Sequence, residues 1–263
     1  MKARINAPIT YYGGKKQMVP HILPLIPIHK TYTESFLGGG AVFFAKEPSE
    51  LEIINDVNKS VINFYREIKS NFDGLKRMID GSLHSRQAYN EAKVIYELPD
   101  LFEPKVRAWA FWILTNQGFA GKIGSWGYDK KPPGKVSRTI NNKKLSFDQS
   151  LVSRLERTQI ECTDALKVIT NRDSPDTFHY IDPPYVGTNL GHYGGYNEQH
   201  YEELLTLCSR LEGKFMLSNF PGDQLSDHIS KNKWEVKSFD KPLSASPKKE
   251  KKARKVEMLV MNY

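Results

Sequence analysis

Four consecutive residues combine a carboxylate, two prolines and an aromatic ring: Asp182, Pro183, Pro184 and Tyr185. Proline lacks an N–H and fixes φ, so the carbonyl between the two proline rings has a fixed direction. Together with the Asp182 carboxylate, that carbonyl offers two hydrogen-bond acceptors, which suit the two donors of an –NH2 group. Tyr185 adds a face on which a flat ring can stack. These residues therefore predict a site for a planar heterocycle that is held by its exocyclic amino group.

A glycine-rich turn at residues 38–40 is the second candidate for binding chemistry. Glycine lets backbone approach a ligand closely, although Phe43 occupies the third glycine position of the dinucleotide fingerprint. The turn alone is compatible with a cofactor loop and with a plain tight turn. Asp56 ends the next predicted strand, where α/β proteins bind ribose hydroxyls. The order of turn and carboxylate favours a nucleoside-containing cofactor.

Hydrophobic spacing predicts the elements that must position these residues. A short strand, a glycine turn and a helix start are predicted over 31–45, and strand and helix alternate again over 158–169. Further strands are predicted at 51–58, 177–185, 214–219, 234–240 and 256–263. Helices are predicted at 59–79, 86–98, 104–117, 197–211 and 222–232, with Asn197 as a cap. Residues 118–142, rich in Gly, Pro, Lys and Asn, are predicted to be irregular surface structure.

This alternation predicts an α/β fold with a doubly wound sheet. The last two predicted strands have no helix between them, so we expect them to pair as a terminal antiparallel hairpin. Asp182 then emerges at the carboxyl end of a strand, where open α/β sheets place their ligands.

Several pieces of the chain, taken in order, resemble the Dam-type family of S-adenosylmethionine-dependent DNA adenine N6-methyltransferases. They are an aromatic followed by Gly-Gly-Lys in 8–22, the glycine turn in 32–43, "YIDPPY" at 180–185, and the late strands 214–219 and 256–263. The resemblance spans nearly the whole chain. Its order, with the cofactor motif before the middle segment and the catalytic motif after it, is the alpha arrangement of that family.

The resemblance implies a role for each matching residue. Asp182, Pro183, Pro184 and Tyr185 are its catalytic motif. Its S-adenosylmethionine site implies Tyr11 and Lys15 at the pocket border, Glu34, Phe36, Gly38 and Gly40 on the methionine side, Asp56 at the ribose, Asp164 at the adenine, and Asp182. Asp164 is equally well placed to cap the helix that follows it. The implied fold is a Rossmann-like catalytic domain, 1–60 and 155–263, and a small, mainly helical DNA-recognition domain, 61–154.

The charge distribution favours a nucleic-acid partner. The chain has 263 residues and a net charge of +8, and its lysines cluster near glycine and aromatic residues. The predicted contacts to duplex DNA are Lys122, Ser125, Trp126, Lys130, Lys135, Arg138, Lys248, Lys249, Lys251 and Lys252. Residues 241–255 join the last two predicted strands and are expected to form a lysine-rich loop beside DNA phosphates, or a mobile solvated tip.

One position departs from the family pattern. Relatives that read GATC carry an arginine a few residues after an F-x-G sequence, whereas this chain has Gly124 at about that place. Arginine is the commonest reader of guanine, so the departure predicts a target other than GATC, or a substitute reader among Lys122, Trp126 and Lys130.

The expected reaction is methyl transfer to the N6 atom of an adenine that is flipped out of duplex DNA. Alternatives are transfer to cytosine N4, to RNA adenine or to a protein glutamine amide. A relative that binds nucleic acid without catalysis is a further alternative. A dehydrogenase is disfavoured by the missing third glycine.

The remaining expectations concern the setting of the protein. With only Cys162 and Cys208, and no clustered ligands, the sequence predicts no disulfide framework and no metal site. No apolar run has the length of a membrane span or signal peptide, so we expect a cytoplasmic protein, bacterial or phage-encoded. We also expect a monomer, with a cognate restriction endonuclease as a possible partner.

Overall fold

The computed structural model describes residues 5–186, 195–242 and 254–263. Within them the strands are β1 (Thr31–Glu34), β2 (Leu51–Asn55), β3 (Thr158–Glu161), β4 (Thr177–Ile181), β5 (Lys214–Asn219), β6 (Glu235–Pro242) and β7 (Arg254–Met261). The α-helices are α1 (Val19–Ile22), α2 (Ala41–Ala45), α3 (Lys59–Ser70), α4 (Phe72–Gly81), α5 (Arg86–Glu97), α6 (Pro104–Gln117), α7 (Lys135–Leu145), α8 (Gln149–Leu155), α9 (Ala165–Arg172), α10 (Glu198–Cys208) and α11 (Asp223–Asn232). Short 3-10 turns occupy Lys15–Gln17, Leu23–Leu25, Pro99–Leu101 and Phe119–Gly121.

The strands form one seven-stranded sheet in the order β3-β2-β1-β4-β5-β7-β6. β1 pairs in parallel with β2 and with β4, and β4 pairs in parallel with β5. The chain order therefore reverses between β1 and β4, which is the point where open α/β sheets bind ligands. β7 is antiparallel to both β5 and β6. The predicted doubly wound sheet and terminal antiparallel hairpin are both confirmed.

The chain divides into two compact units. The first contains residues 1–23, 38–48 and 56–162, and the second contains residues 24–37, 49–55 and 163–263. The predicted recognition segment, 61–154, falls inside the first unit.

Helix α6 is the centre of the first unit. Every residue from Ala110 to Gln117 in it is buried, including the polar Thr115, Asn116 and Gln117, so this part of the helix is enclosed on all sides rather than amphipathic. Helix α3 turns its buried face, which includes Phe64 and Tyr65, toward this core. Aromatic packing continues to Phe147, whose ring centroid lies 6.3 Å from that of Phe64.

In the second unit, helices α9, α10 and α11 cover one side of the strands. Their contact surface is a cluster of buried residues that includes Ile169, Leu204, Leu205, Leu225 and, from the strands, Ile181, Phe215, Leu217 and Val260. Asn197 caps α10, with its side chain accepting from the His200 N–H at 3.0 Å. The predicted cap is therefore confirmed.

Two predicted elements differ from the structure. The single helix expected over 59–79 is broken at Asn71, which has a non-helical φ of −145° between α3 and α4. Irregular structure expected to 142 ends earlier, because α7 begins at Lys135. The Asp129 carboxylate accepts from the Val136 and Ser137 N–H groups at 2.9 and 3.2 Å, which satisfies donors at the start of α7. This contact is not adjacent in sequence, so local patterns do not indicate it.

In the part of the chain that the structure describes, no helix is long and apolar enough to span a bilayer. The same residues contain no group of three or more His, Cys, Asp and Glu side chains that could hold a metal ion. Cys162 is an exposed thiol and Cys208 a buried one.

Candidate active site

In the second unit, the strand register brings two acidic positions to one edge of the sheet. Glu34 is the last residue of β1 and is paired with Tyr180 of β4. Asp182 follows Ile181, the end of β4, so both carboxylates belong to the carboxyl ends of neighbouring parallel strands. Glu34 is buried, and its Oε2 accepts from the Tyr32 hydroxyl at 2.6 Å.

The residues of the predicted catalytic tetrapeptide differ in how far they are buried. Pro183 and Pro184 are buried, whereas Asp182 is only partly buried. The two prolines fix their own φ angles, so the Pro183 carbonyl and the Asp182 carboxyl share a stiff backbone. This places two acceptors directly after a central strand, as the sequence predicts.

Tyr185 is held at its hydroxyl end by two strands of the second unit. The phenol oxygen lies 3.0 Å from Ser218 Oγ on β5, and the phenol O–H donates to Glu257 Oε1 on β7 at 3.1 Å. Its ring meets Phe220 edge to face at a centroid distance of 4.5 Å. Burial, with the nearby Asp182 and Glu257 carboxylates, raises the pKa of Tyr185 well above its usual value. The phenol therefore stays protonated and remains a donor at neutral pH.

The glycine turn belongs to the first unit and needs glycine for two different reasons. Gly38 and Gly40 have φ values of +48° and +62°, in the left-handed region. Between them, a Cβ on Gly39 would lie 2.9 Å from the Tyr11 Cβ, closer than such atoms pack. The turn is therefore fixed in its backbone path and closely packed against Tyr11.

Asp56 follows the last residue of β2 and is almost fully buried. Its Oδ2 accepts from the Gly38 N–H at 2.8 Å, and its Oδ1 accepts from the Asn58 N–H at 2.9 Å. A carboxylate has about four acceptor positions, so these bonds leave capacity for hydroxyl donors. Burial raises the pKa of Asp56 to about 6, and the two backbone N–H groups oppose that shift.

Two predicted cofactor residues lie in the amino-terminal part of the first unit. Tyr11 is buried and packs on Phe111, with ring centroids 6.4 Å apart. Lys15 is also buried, and its Nζ donates to the Gly13 carbonyl at 3.3 Å. The preceding segment is fixed by Asn116, whose side chain accepts from the Thr10 N–H at 3.0 Å.

Two other predicted cofactor residues lie in the second unit. Phe36 is half-buried and meets the Tyr196 ring edge to face at 6.3 Å. Asp164 is exposed and caps α9, with Oδ1 accepting from the Lys167 N–H at 3.1 Å. Asp164 therefore acts as the predicted helix cap, through its Oδ1 atom.

We call residues 118–134, in the first unit, the basic loop. It has no regular secondary structure over most of its length but is held by hydrogen bonds. The Tyr89 hydroxyl accepts from the Gly124 N–H at 3.0 Å, and the Gly127 N–H donates to the Gln117 carbonyl at 2.7 Å. His84 adds a contact from its Nε2 to the Gly127 carbonyl at 2.9 Å. The loop therefore has a defined shape on which exposed side chains can be presented.

The predicted DNA contacts from this region are mostly exposed. Ser125, Lys130, Lys135 and Arg138 are exposed, whereas Trp126 and Lys122 are half-buried. Lys122 Nζ lies 4.4 Å from the centre of the Tyr12 ring, a cation–π contact. The four predicted contacts Lys248, Lys249, Lys251 and Lys252 lie outside the described residues.

The structure adds residues that sequence patterns did not indicate. The exposed Arg86 guanidinium lies 4.6 Å from the Trp126 ring centre and 5.6 Å from that of Tyr128. Glu257 and Ser218 contact Tyr185. The one sequence signal for Glu257 was its position as an acid among the apolar residues of the last strand, "VEMLVMNY". No pattern near it in the sequence indicates a contact with Tyr185.

Comparisons with known proteins identify the family of the chain. The sequence profile of the D12 class N6 adenine-specific DNA methyltransferases matches residues 11–252. A "Type II methyltransferase M1.LlaDCHI" from Lactococcus lactis is 26% identical, and the alignment covers 100% of this chain and 98% of that protein. A "DNA N-6-adenine-methyltransferase" of Escherichia phage P1 is 28% identical over 79% of this chain and 29% of that protein.

A "DNA adenine methylase" of Vibrio cholerae is 25% identical over 68% of this chain and 64% of that protein. Among solved structures, an rRNA methylase from Streptococcus thermophilus aligns over 94% of this chain and 93% of its own, with 9% identity and a TM-score of 0.36, too distant to support a conclusion. The profile match covers most of the chain, including the glycine turn, Asp56 and the tetrapeptide at 182–185. The chain therefore belongs to the D12 class of N6 adenine-specific DNA methyltransferases.

Proposed function

We propose that this protein transfers a methyl group from S-adenosylmethionine to the N6 atom of an adenine within a specific duplex DNA sequence. The observation that carries the proposal is the tetrapeptide at 182–185, which follows a central parallel strand and whose Tyr185 is anchored at its hydroxyl. Membership of the adenine-specific family supports the target atom.

The residues of the first unit fit the proposed donor. A closely packed glycine turn and a buried carboxylate with spare acceptor positions suit a ligand that carries ribose hydroxyls. In this proposal Asp56 accepts those hydroxyls, and Gly38 and Gly40 shape the turn beside the methionine portion. Tyr11 and Lys15 border the ligand. When bound, S-adenosylmethionine supplies an electrophilic methyl group on a sulfonium.

Glu34 and Phe36 complete the proposed methionine side, and Asp164 is proposed for the adenine of the donor. Asp164 Oδ1 is already used as a helix cap, so Oδ2 is the oxygen that we assign to the ligand. These assignments rest on the family resemblance.

In the proposed mechanism the target adenine leaves the base stack, because its N6 atom is inaccessible within a duplex. The flipped base stacks on Tyr185. Its two N6 hydrogens are donated to the Asp182 carboxylate and to the Pro183 carbonyl, which draws the nitrogen lone pair out of conjugation with the ring. The N6 proton that is lost on methylation leaves through Asp182, whose partial exposure connects it with solvent. Positioning and preorganised electrostatics are the main sources of rate.

The basic loop is the proposed DNA-reading element of a recognition domain at 61–154. Exposed Ser125, Lys130, Lys135 and Arg138 are proposed to contact phosphates or bases, together with Lys122, Trp126 and the four lysines at 248, 249, 251 and 252. Arg86 joins this set because its planar guanidinium is held over an aromatic ring, which orients its donors before DNA binds.

The target is proposed to differ from GATC. Gly124 stands at about the position of the arginine in GATC-reading relatives, and its φ is +121°. L residues rarely adopt that conformation, so an arginine at 124 would be strained in this loop. Arg86 is the arginine that we propose as a base reader in its place.

Two further proposals concern the biological setting. We propose that the protein acts as a monomer in a bacterial or phage-infected cytoplasm, where its DNA substrate lies. The name of the Lactococcus lactis relative, a Type II methyltransferase, supports a role in restriction–modification with a partner endonuclease.

The experiment that tests the function is transfer of labelled methyl groups from S-adenosylmethionine to DNA, followed by analysis of the modified base. N6-methyladenine at one recurrent duplex sequence is the expected product, and modification-sensitive sequencing identifies that sequence. N4-methylcytosine, labelled RNA or a labelled glutamine amide would each replace the proposed substrate with an alternative. Binding of DNA without any transfer would mean that the protein is a non-catalytic relative.

A further inference from the structure

Glu257 is a buried acid whose role the reaction described above does not explain. It lies on β7 and is 6% exposed. A carboxyl group removed from water is costly unless hydrogen bonds compensate it. Two of its partners are hydroxyl groups from other parts of the second unit, the phenol of Tyr185 and the side chain of Ser218.

The three groups contact one another pairwise, at hydrogen-bonding distances. Tyr185 donates to Glu257 Oε1 at 3.1 Å, Ser218 Oγ donates to the same oxygen at 3.0 Å, and the two hydroxyls lie 3.0 Å apart. Two hydroxyl protons serve three contacts, so in every arrangement the carboxylate is the terminal acceptor. Hydrogen bonds to a charged acceptor are about twice as strong as neutral ones. The carboxylate therefore orders both hydroxyls.

The network holds the hydroxyl end of the Tyr185 side chain. Ser218 lies on β5, next to Leu217, which is paired with Ile181 of β4. Glu257 lies on β7, which pairs with β5. Pro183 and Pro184 stiffen the backbone that leads to Tyr185. A tyrosine that is held at both its Cα and its hydroxyl cannot swing about χ1. The position of the ring axis is thereby set by three strands of one sheet, and the edge-to-face contact with Phe220 at 4.5 Å restricts rotation of the ring about that axis.

We infer that Glu257 is a positioning residue, which acts with Ser218 on the phenol of Tyr185 and holds the ring in the orientation on which the target adenine stacks. The inference rests on the proposed function, because the stacked base is the one whose N6 receives the methyl group. A loose ring lets the base tilt, and small misplacements of reacting atoms lower rates severely.

The test is a double-mutant cycle on the methyl-transfer step, measured in single turnover with the full-length protein. Glu257→Met fills the volume but removes the acceptor, and Tyr185→Phe keeps the ring but removes the donor. Each variant is expected to slow transfer about 10-fold, with DNA and S-adenosylmethionine dissociation constants within about twofold of wild type. The double variant is expected to be no slower than the slower single variant. Glu257→Gln, which keeps an acceptor oxygen, is expected to recover most of the rate.

Matched controls separate positioning from general damage to the fold. Glu235→Met makes the same change at an exposed site on β6 and is expected to leave the rate unchanged. If Glu257→Met does not fold, Ser218→Ala replaces it in the cycle, with a smaller loss that disappears in the Tyr185→Phe background.

Each outcome bears on one conclusion. Losses that multiply in the double variant, or wild-type transfer by Glu257→Met, overturn the positioning role while the proposed function stands. Failure of the wild-type protein to form N6-methyladenine overturns the proposed function itself, and the positioning role with it.

Discussion

Tyr185 and Trp126 are both aromatic residues assigned to contact DNA bases, and the protein holds them in different ways. Tyr185 is fixed at its hydroxyl by Ser218 and by the buried Glu257, at the ends of sheet strands. Trp126, in the basic loop, is half-buried, donates weakly to Gln117 at 3.4 Å and carries the exposed Arg86 on its face. In the first arrangement the groups that hold the ring are buried, whereas in the second the cation on the ring is exposed to solvent.

In the proposed function, this difference corresponds to separate tasks of the two regions. Chemistry requires atoms placed to a fraction of an ångström, which buried strand ends supply. Recognition of DNA uses exposed cations and aromatic faces on a loop, where changes of sequence are tolerated. Substitutions at the strand ends should therefore change transfer or donor binding with little dependence on salt. Substitutions in the loops should change DNA binding.

The largest effect is expected at Asp182. Asp182→Ala removes an acceptor for the N6 hydrogens, so the single-turnover rate should fall roughly 10³-fold while DNA affinity changes little. Rapid-quench measurement of labelled methyl transfer tests this expectation. Asp227→Ala, at an exposed site on α11, is the matched control and should retain full activity. Turnover like that of wild type in Asp182→Ala would remove Asp182 from the mechanism.

Asp56 is expected to affect the donor rather than the DNA. Charge-assisted hydrogen bonds to ribose hydroxyls contribute about 1.5–3 kcal/mol each, so Asp56→Ala should weaken S-adenosylmethionine binding about 10- to 150-fold for each hydroxyl that the carboxylate contacts. Calorimetry of donor binding is the measurement, with Asp73→Ala on α4 as an exposed control. Equal dissociation constants for wild type and Asp56→Ala would show that Asp56 does not contact the ribose.

The strand-end region was largely predictable from sequence because its signals are local. Apolar runs mark the strands, and the residues directly after them, Asp56 and Asp182, were identified correctly as lying at strand ends. The contact between Tyr185 and Glu257 joins positions 72 residues apart, so no local pattern could reveal it. The stacking of Arg86 on Trp126 was not predictable for the same reason, whereas the contacts of Asp129 at the start of α7 join positions 7 residues apart and depend on the shape of the loop between them.

The lysine-rich segment at 241–255 should affect binding without affecting sequence preference. Each phosphate contact adds about −0.9 to the slope of log K against log salt. Replacing Lys248, Lys249, Lys251 and Lys252 with Gln should make the slope shallower by about 2, which weakens binding roughly 30-fold at 0.15 M salt if half of them contact phosphate. Fluorescence anisotropy over a salt series measures the slope.

The control for that charge change is a set of four exposed lysines replaced by Gln elsewhere: Lys59, Lys93, Lys231 and Lys237. An equal loss of slope in the control would attribute the effect to net charge. An unchanged slope with altered sequence preference would mean that the segment reads bases.

Asp56 should also make stability depend on pH. Its pKa in the folded chain, about 6, lies above the ordinary 3.8, so the folded state binds this proton more tightly than the unfolded state. Its contribution is therefore fully favourable below pH 3.8 and is lost as the pH rises through 6. Between pH 4 and 7.5 the free energy of unfolding should fall by about 2 kcal/mol more in wild type than in Asp56→Asn. Urea unfolding of both proteins at the two pH values decides the matter, and parallel pH profiles would contradict it.

The smallest effect is expected at Arg86, and it tests whether the basic loop region reads bases. Arg86→Lys keeps the charge but loses the planar guanidinium that lies over Trp126, and with it bidentate recognition of guanine. Discrimination between the methylated sequence and single-base variants should fall about 10-fold, while the salt slope stays constant because the charge remains. Initial methylation rates on matched oligonucleotides measure the discrimination, and Arg66→Lys at an exposed site on α3 is the control. If the discrimination is unchanged, Arg86 contacts phosphate or no DNA at all, and the reader lies elsewhere among Lys122, Trp126 and Lys130.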